Sequence, residues 1–323
     1  MSKHNIRSPK SLLKPEIAVE YFEQHREELF GTRKLHVKKV TPWTIRARNF
    51  VCFFDIVAGE PRAWKRAVGL ADSGNQRVKE HARLQALWAQ GKSEQYFAMP
   101  EPIFLDKQLG MSFITHIPGD TLADVVRNHR GLSTPILRNI ARWLKNLHSI
   151  PPENIPYLAR GPQLKWAKLD VQLIKKVAPE FAPKLVRAWN VWEARWKRDF
   201  SKLDLVLSHG DFHSFNIKRL PHSNNISVMD FGLLCRAPKF WDLASFLTQV
   251  DAIHGRYLKQ REVLVIRRGM LAAWEKEFGK LTKSDKEQLE WLEQFFRIGT
   301  TAYLLSRDPY PHIKRLYSGI KIP

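Results

Sequence analysis

The chain has 323 residues, 44% of them hydrophobic, and a formal net charge of +21. That length supports one large or two modest cores, no apolar run is long enough to span a bilayer, and Met1-Ser2-Lys3-His4-Asn5-Ile6-Arg7 lacks the apolar stretch of a secretory signal. Two cysteines, Cys52 and Cys235, exclude a disulfide framework and point to a reducing, cytoplasmic setting.

Lys14-Pro15-Glu16 puts proline in the first turn of a helix that Gly31 closes, so residues 1–34 read as an added helical extension. Strands dominate from about residue 35 to 68. Phe50 to Ile56 is aromatic and β-branched, Ala58-Gly59-Glu60-Pro61 is a turn, and Arg62 to Val68 is the return strand. Alternation puts Ala63, Lys65 and Ala67 on one face, where the alanines leave room beside Lys65 for a phosphate. The plainer alternative is an edge lysine that guards against aggregation. Gln76 to Gln90 reads as a helix between Ser73-Gly74-Asn75 and Gly91. Glu80, Leu84 and Leu87 share its inward face, and an inward carboxylate needs a cation, for which Lys65 is the candidate. Met111 to Ile117 is a further strand, broken by Pro118-Gly119-Asp120, with Asp120 or Thr121 able to cap the next helix.

From residue 120 onward the pattern is mostly helical. Leu137, Ile140, Ala141, Leu144 and His148 form one stripe, ended by Pro151-Pro152. Leu185, Trp189, Trp192 and Trp196 recur at helical spacing among Arg187, Arg195, Lys197 and Arg198. They read either as a tryptophan-rich core face or as an amphipathic surface for anionic lipid or a sugar.

His209-Gly210-Asp211-Phe212-His213-Ser214-Phe215-Asn216 follows, then Asp230-Phe231-Gly232. Phosphoryl transfer from ATP needs a carboxylate to orient the attacking hydroxyl and oxygen ligands to hold Mg²⁺ against the phosphates. An Asp, an Asn five residues on and a later Asp-Phe-Gly is the spacing protein kinases use for those parts. Here they are Asp211, Asn216 and Asp230. Asn216 to Leu220 and Ile226 to Asp230 read as strands around the turn cluster Pro221 to Asn225. A five-residue loop centred on Ser223 sets Leu220 opposite Ile226 and Asn216 opposite Asp230, close enough to share one metal. Farther on, Arg256 to Phe278 is a long helix with a break near Gly269, and Ser284 to Leu305 is another that Ser284 caps.

These residues resemble the aminoglycoside phosphotransferase and choline kinase group, the small-molecule branch of the protein-kinase-like fold, which carries His-Gly-Asp-x-His-x-x-Asn. Asp242-Leu243-Ala244 matches the group's Asp-Leu-Ala, and the resemblance runs in order over about residues 35–250. It implies an α+β, two-lobed fold. Residues 35–117 would form a nucleotide-binding lobe with a small antiparallel sheet and one key helix. Residues 118–323 would form a helical lobe with the catalytic loop, the metal-site hairpin and the acceptor pocket. By resemblance, Asp211 is the catalytic base, Asn216 and Asp230 are Mg²⁺ ligands, Asp242 braces the loop, and His209 and His213 support it. Lys65 and Glu80 match the pair that positions the α/β-phosphates. His116 and Ile117 fall at the hinge that receives adenine. No glycine lies between Gly31 and Gly59, where kinases place a glycine-rich loop. Thr44-Ile45-Arg46-Ala47-Arg48-Asn49 stands there instead, so Thr44, Arg46 or Arg48 would meet the phosphates through side chains.

The resulting reading is an ATP- and Mg²⁺-dependent phosphotransferase acting on a hydroxyl of a small molecule: a sugar, an amino alcohol, an aminoglycoside or a glycolipid head group. Asp230 is followed too closely by Phe240-Trp241-Asp242 for a protein kinase's long activation loop. The alternative is a non-catalytic kinase-like scaffold that binds anionic lipid or RNA. The positive charge is spread over Lys3 to Lys14, over Lys34, Lys38, Lys39, Arg46 and Arg48, over Arg187, Arg195, Lys197 and Arg198, and over Lys314, Arg315 and Lys321. It either solvates the protein, favours an anionic acceptor or the inner face of an anionic membrane, or serves nucleic acid, which ranks last because no nucleic-acid motif is present. The same charge opposes capture of a polycationic acceptor.

Overall fold

The computed structural model describes residues 6, 8–46, 50–59, 63–71, 76–91, 97–129, 131–253, 257–307 and 313–321. The expectations on Lys3, Arg7, Ala47-Arg48-Asn49, Glu60-Pro61-Arg62, Ser73-Gly74-Asn75 and Arg256 lie outside the described residues, as do the side chains of Arg46, Ala63, Lys314 and Arg315. The chain forms two compact units, one of Met1–Ser93, Met99–Ile117 and Ile155–Tyr157, the other of Glu94–Ala98, Pro118–Asn154 and Leu158–Pro323.

The first unit is a five-stranded sheet with helices on both faces. Helices α1 (Pro15–Gln24) and α2 (Arg26–Phe30) precede strands β1 (Val37–Arg46), β2 (Phe50–Ala58) and β3 (Ala63–Ala71). Helix α3 (Gln76–Gly91) and strands β4 (Pro102–Asp106) and β5 (Met111–Thr115) follow. All neighbours are antiparallel, in the order β1-β2-β3-β5-β4. The single helix expected up to Gly31 is bent at His25, and Gly31 ends it at φ +70°. α1 buries Ile17, Ala18, Tyr21 and Phe22 on one sheet face, with Phe22 5.0 Å from Phe54 and 5.5 Å from Phe113. Gly69 lies under this aromatic layer, where a Cβ would come within 2.1 Å of Met111 Cε and 2.8 Å of Phe54. The odd-numbered residues of β3 therefore face α1. α3 packs on the other face, where His81 Nδ1 is 2.7 Å from Ser112 Oγ and Ser112 stands opposite Leu70.

The second unit is mostly helical. It runs β6 (Asp120–Thr121), α4 (Leu122–His129), α5 (Thr134–Ser149), α6 (Lys165–Val177), α7 (Ala182–Asp199), β7 (Leu205–Ser208), β8 (Ile217–Arg219), β9 (Ile226–Val228), β10 (Cys235–Pro238), α8 (Trp241–Ile253), α9 (Gln260–Phe278), α10 (Lys283–Arg307) and α11 (Ile313–Ser318). β6, β8 and β9 form one small sheet, and β7 pairs with β10. α10 packs along α6 and α8, and α5 along α9. The expected α+β arrangement, a small antiparallel sheet and then helices, is what the structure has.

Two local expectations are corrected, and of the two readings of the α7 tryptophans the core face holds. α9 runs unbroken through Gly269, which is small because Leu137 of α5 comes within 2.7 Å of where its Cβ would stand. α10 is capped by Thr282, not Ser284: its hydroxyl accepts the Asp285 N–H at 3.1 Å, and the Asp285 carboxylate accepts the Thr282 N–H at 2.9 Å. The tryptophans of α7 are core. Leu185, Trp189, Trp192 and Trp196 are all buried, and Trp192 Nε1 donates to the Trp291 carbonyl at 3.1 Å, so they offer no face to a lipid or sugar. No helix among the described residues is long and apolar enough to cross a membrane.

Candidate active site

β7 leads into a turn that only glycine can make. Gly210 has φ +84°, and a Cβ on it would lie 2.1 Å from the Leu233 carbonyl oxygen. Asp242, fully buried in the first turn of α8, accepts the His209 N–H at 2.7 Å and the Gly210 N–H at 3.0 Å. Burial pushes its pKa up to about 7, the two N–H bonds oppose that rise, and the charge of Asp211 adds to it. The His209 ring accepts the Asp211 N–H at Nδ1 (3.3 Å) and donates from Nε2 to the Met229 carbonyl (3.1 Å). One neutral tautomer satisfies both bonds, and burial lowers the pKa of this imidazole accordingly. From below, buried Phe212 stacks on Trp143 at 5.6 Å.

This frame presents Asp211. Its Oδ1 is 3.3 Å from His213 Nε2, and Asn216 Nδ2 donates to its carbonyl at 3.0 Å and to Oδ2 at 3.2 Å. Burial raises the pKa of the Asp211 carboxyl. The hydrogen bond and charge of His213, with His209 and Asn216, outweigh that and hold it below the usual carboxylate range. Asp211 is thus ionised at neutral pH and able to accept a proton.

The hairpin register differs from expectation by one residue. Ile217 stands opposite Val228 and Arg219 opposite Ile226, so Leu220 bonds Asn225 (2.9 Å) and Asn216 bonds Met229 (2.9 Å). The loop closes a residue early because Ser223 Oγ both accepts the Asn225 N–H and donates to the Leu220 carbonyl, each at 3.2 Å, with His222 at φ +54°. A one-residue slip flips a strand residue to the other face. Asp230 escapes the alternation because it is left-handed (φ 68°, ψ 68°) and starts the turn Phe231–Leu233. It is exposed, and its charge acts on His209. With Nδ2 of Asn216 committed to Asp211, Oδ1 is the atom left to meet a cation. That oxygen and the Asp230 carboxylate are hard donors of the kind Mg²⁺ takes, one or two at a time, alongside phosphate oxygens.

The sheet unit corrects the expected lysine–glutamate pair. Lys65 lies on the α1–α2 face of β3, where Nζ donates to the Leu29 carbonyl at 3.3 Å and sits 5.2 Å from the Phe30 ring. Glu80 is on α3, across the sheet, bound to Arg77 at 2.5 Å and Gln76 at 3.1 Å. The two cannot meet. Ala67, which flanks Lys65 in the alternation, and Gly69 and Ala71 beyond it make room for the aromatic layer beneath α1 and not for a phosphate. The α3 stripe that is fully buried is His81, Leu84 and Leu87.

On the α3 side, β3 carries Arg66, which the sequence reading overlooked. It binds Asp55, its register partner, at 2.5 and 3.0 Å. An acid inside the apolar run of β2 was the available signal. The His116 N–H donates to the Arg66 carbonyl at 3.2 Å, and its ring meets Phe53 edge-on at 5.1 Å. Ile117 follows as the last residue of this segment of the unit. Thr44 is exposed opposite Cys52, and Arg46 stands opposite Val51 beyond a bulge.

Residues 70–279 match the model of the phosphotransferase enzyme family. The chain belongs to that family. The matched span contains Asp211, Asn216, Asp230 and Asp242 and begins after Lys65 and Arg66. No curated protein sequence matches this phosphotransferase. Its fold is similar to that of choline kinase from Cryptosporidium parvum Iowa II (TM-score 0.59, 13% identity, covering 94% of this chain and 93% of that one). It is also similar to a spectinomycin phosphotransferase solved with ADP and spectinomycin (TM-score 0.58, 14% identity, 95% and 93% covered). A third is a macrolide 2'-phosphotransferase from Brachybacterium faecium (TM-score 0.54, 15% identity, 95% and 99% covered). The protein is an enzyme of phosphoryl transfer to a hydroxyl group.

Proposed function

We propose that this phosphotransferase moves the γ-phosphoryl group of ATP to a hydroxyl of a small molecule, with Asp211 as the base. The acceptor oxygen bonds to phosphorus, the bond to the ADP oxygen breaks, and the hydroxyl proton passes to Asp211. His213 and Asn216 keep that carboxylate ionised and aimed. Asp242 fixes the turn that carries it through His209 and Gly210. Asn216 Oδ1 and Asp230 would hold Mg²⁺, which when bound neutralises phosphate charge. In the sheet unit, the backbone of His116 and Ile117 is assigned to adenine, and Thr44 and Arg46 to the phosphates. The observation that carries this reading is the Asp211 carboxylate, reached by solvent and hydrogen-bonded to His213 and Asn216, which hold its pKa below the usual carboxylate range.

The acceptor is best sought among sugars, amino alcohols and glycolipid head groups. A polycationic aminoglycoside would approach a chain of net charge +21 against repulsion. The test is a coupled ADP-release screen over hexoses, amino alcohols, glycolipid head groups and aminoglycosides. Acceptor-dependent ADP release that disappears in Asp211→Asn supports the reading. Nucleotide binding without ADP release on any hydroxyl would instead mark a scaffold.

A further inference from the structure

α6 is clamped on one side and bare on the other. Ala167, Asp170, Val171 and Ile174 are buried, and the helix packs along α10. Its outer side leaves Leu169 52%, Val177 49%, Leu173 40% and Trp166 37% exposed. Leu169, Leu173 and Val177 recur at i, i+4 and i+8 and form one stripe along the axis, which Trp166 begins with its ring turned onto Phe295 and Gly299 of α10. Lys165 and Lys176 lie beside the stripe on the exposed side, Lys168 and Lys175 are exposed on the opposite flank, and among the described residues Lys168 of these four pairs with an acid, Glu193 at 3.1 Å. A helix on a globular surface ordinarily turns its leucines in and its lysines out. Here leucines and lysines face water together.

We infer that this face of α6 docks on an anionic membrane surface. The occupant follows from charge. A second copy of the chain would meet the stripe through a two-fold contact, bringing the same lysines against each other on a molecule of net charge +21. Anionic lipid complements both halves of the face. The stripe of Leu169, Leu173 and Val177 enters the boundary between head groups and acyl chains, and the stems of Lys165 and Lys176 lie beside it with their ammonium groups at the phosphates. The helix is already formed and held by α10, so docking orders no chain. The tryptophans of α7 cannot serve, because they are buried. α6 contributes no residue to the catalytic loop, so this inference stands apart from the assignment of Asp211.

The experiment is co-sedimentation of the full chain with vesicles of equal parts phosphatidylcholine and phosphatidylglycerol, and with phosphatidylcholine alone. Binding is expected only to the anionic vesicles. It should weaken as the Debye length falls from about 30 Å at 0.01 M salt to about 8 Å at physiological strength. The double variant Leu169→Glu/Leu173→Glu should lower the partition coefficient at least ~10-fold. Lys165→Glu/Lys176→Glu should lower it by more than the roughly fivefold per lysine that neutralisation alone gives. Lys280→Glu/Lys283→Glu makes the same change in net charge outside α6 and should retain binding. Unchanged circular dichroism and Tm show that each variant is folded, as expected for exposed positions. Failure of the wild type to bind overturns the inference, as does equal binding by the α6 variants. A dimer in solution that Leu169→Glu abolishes, with no vesicle binding, would assign the face to a second copy instead.

Discussion

One nitrogen of Asn216 holds Asp211 twice, donating to its carbonyl at 3.0 Å and to its carboxylate at 3.2 Å. Asn216 therefore orients Asp211, and under the proposed function its Oδ1 would also meet the metal beside the Asp230 carboxylate. Asp230→Ala removes a charged ligand and should abolish the Mg²⁺ dependence of nucleotide affinity. Asn216→Ala removes a neutral one, so that dependence should shrink less, while turnover falls about 100-fold or more because Asp211 is no longer aimed. Nucleotide titration with and without Mg²⁺, beside steady-state rates, separates the two. Equal wild-type affinity in both conditions would rule the metal site out.

Asp211→Asn keeps the size of the side chain and removes its ability to take a proton. Turnover should drop about 10²- to 10⁴-fold, with nucleotide affinity within a few-fold of wild type. His213→Ala acts through the same carboxylate in another way. His213 supplies the leading interactions that lower the Asp211 pKa. Without them that pKa rises, so the acid limb of the kcat/KM profile should move to higher pH. An unshifted limb would show that His213 does not tune the base.

Lys65 is held by α2 on the far side of the sheet from α3, so Lys65→Ala should leave nucleotide affinity within about twofold, well under the ~1.4 kcal/mol that a tenfold change represents. Glu80→Ala should do the same. Arg66→Ala is expected to lower Tm, because it leaves the Asp55 carboxylate, 18% exposed, without its bidentate partner. A large loss of nucleotide affinity in Lys65→Ala would contradict the strand parity described above.

The loop that carries Asp211 was legible because its parts are local. Asp211, His213 and Asn216 lie within six residues, and a Gly210 that tolerates no Cβ leaves little freedom to the turn between His209 and Asp211. The Asp230 register was misjudged because a serine hydroxyl closed the loop early, and the left-handed Asp230 then broke an alternation that strand counting assumes. Lys65 was misplaced for a different reason. Small residues beside a lysine look alike whether they admit a phosphate or an aromatic ring, and what fills the space is Phe22 and Phe113, 43 and 48 residues away in the chain. Burial of the α7 tryptophans rested on the same long-range packing, here Trp291. The stripe on α6 has the periodicity of a core helix, and only the packing of α10 on its other side reveals that it faces water.

Beside His209, three buried groups whose signs differ shape the acid limb of stability. Both ring nitrogens of His148 are out of solvent and, among the described residues, without hydrogen-bond partners, beside Trp274 and Phe278. Burial lowers its pKa to about 3, and burial lowers that of His81 to about 4. In the unfolded chain both titrate near 6.5. Their contribution is therefore full above about pH 6.5 and is lost as the pH falls toward 4 and then 3, at about 1.4 kcal/mol per pH unit for each proton. Asp242 acts in the opposite sense. Its pKa is raised to about 7, so it favours the folded chain most below its unfolded value near 3.8, and that advantage fades as the pH rises to 7. Between about pH 4 and 6.5 the two histidines outweigh the one carboxyl, and stability should fall on acidification. His148→Leu removes an unpaired polar ring and one of the two opposing protons. It should raise stability at pH 7 and flatten the decline between pH 6.5 and 4.5, measured by urea unfolding at a series of pH values. A variant as steep as the wild type would show that His148 stays charged, or finds a partner, inside the fold.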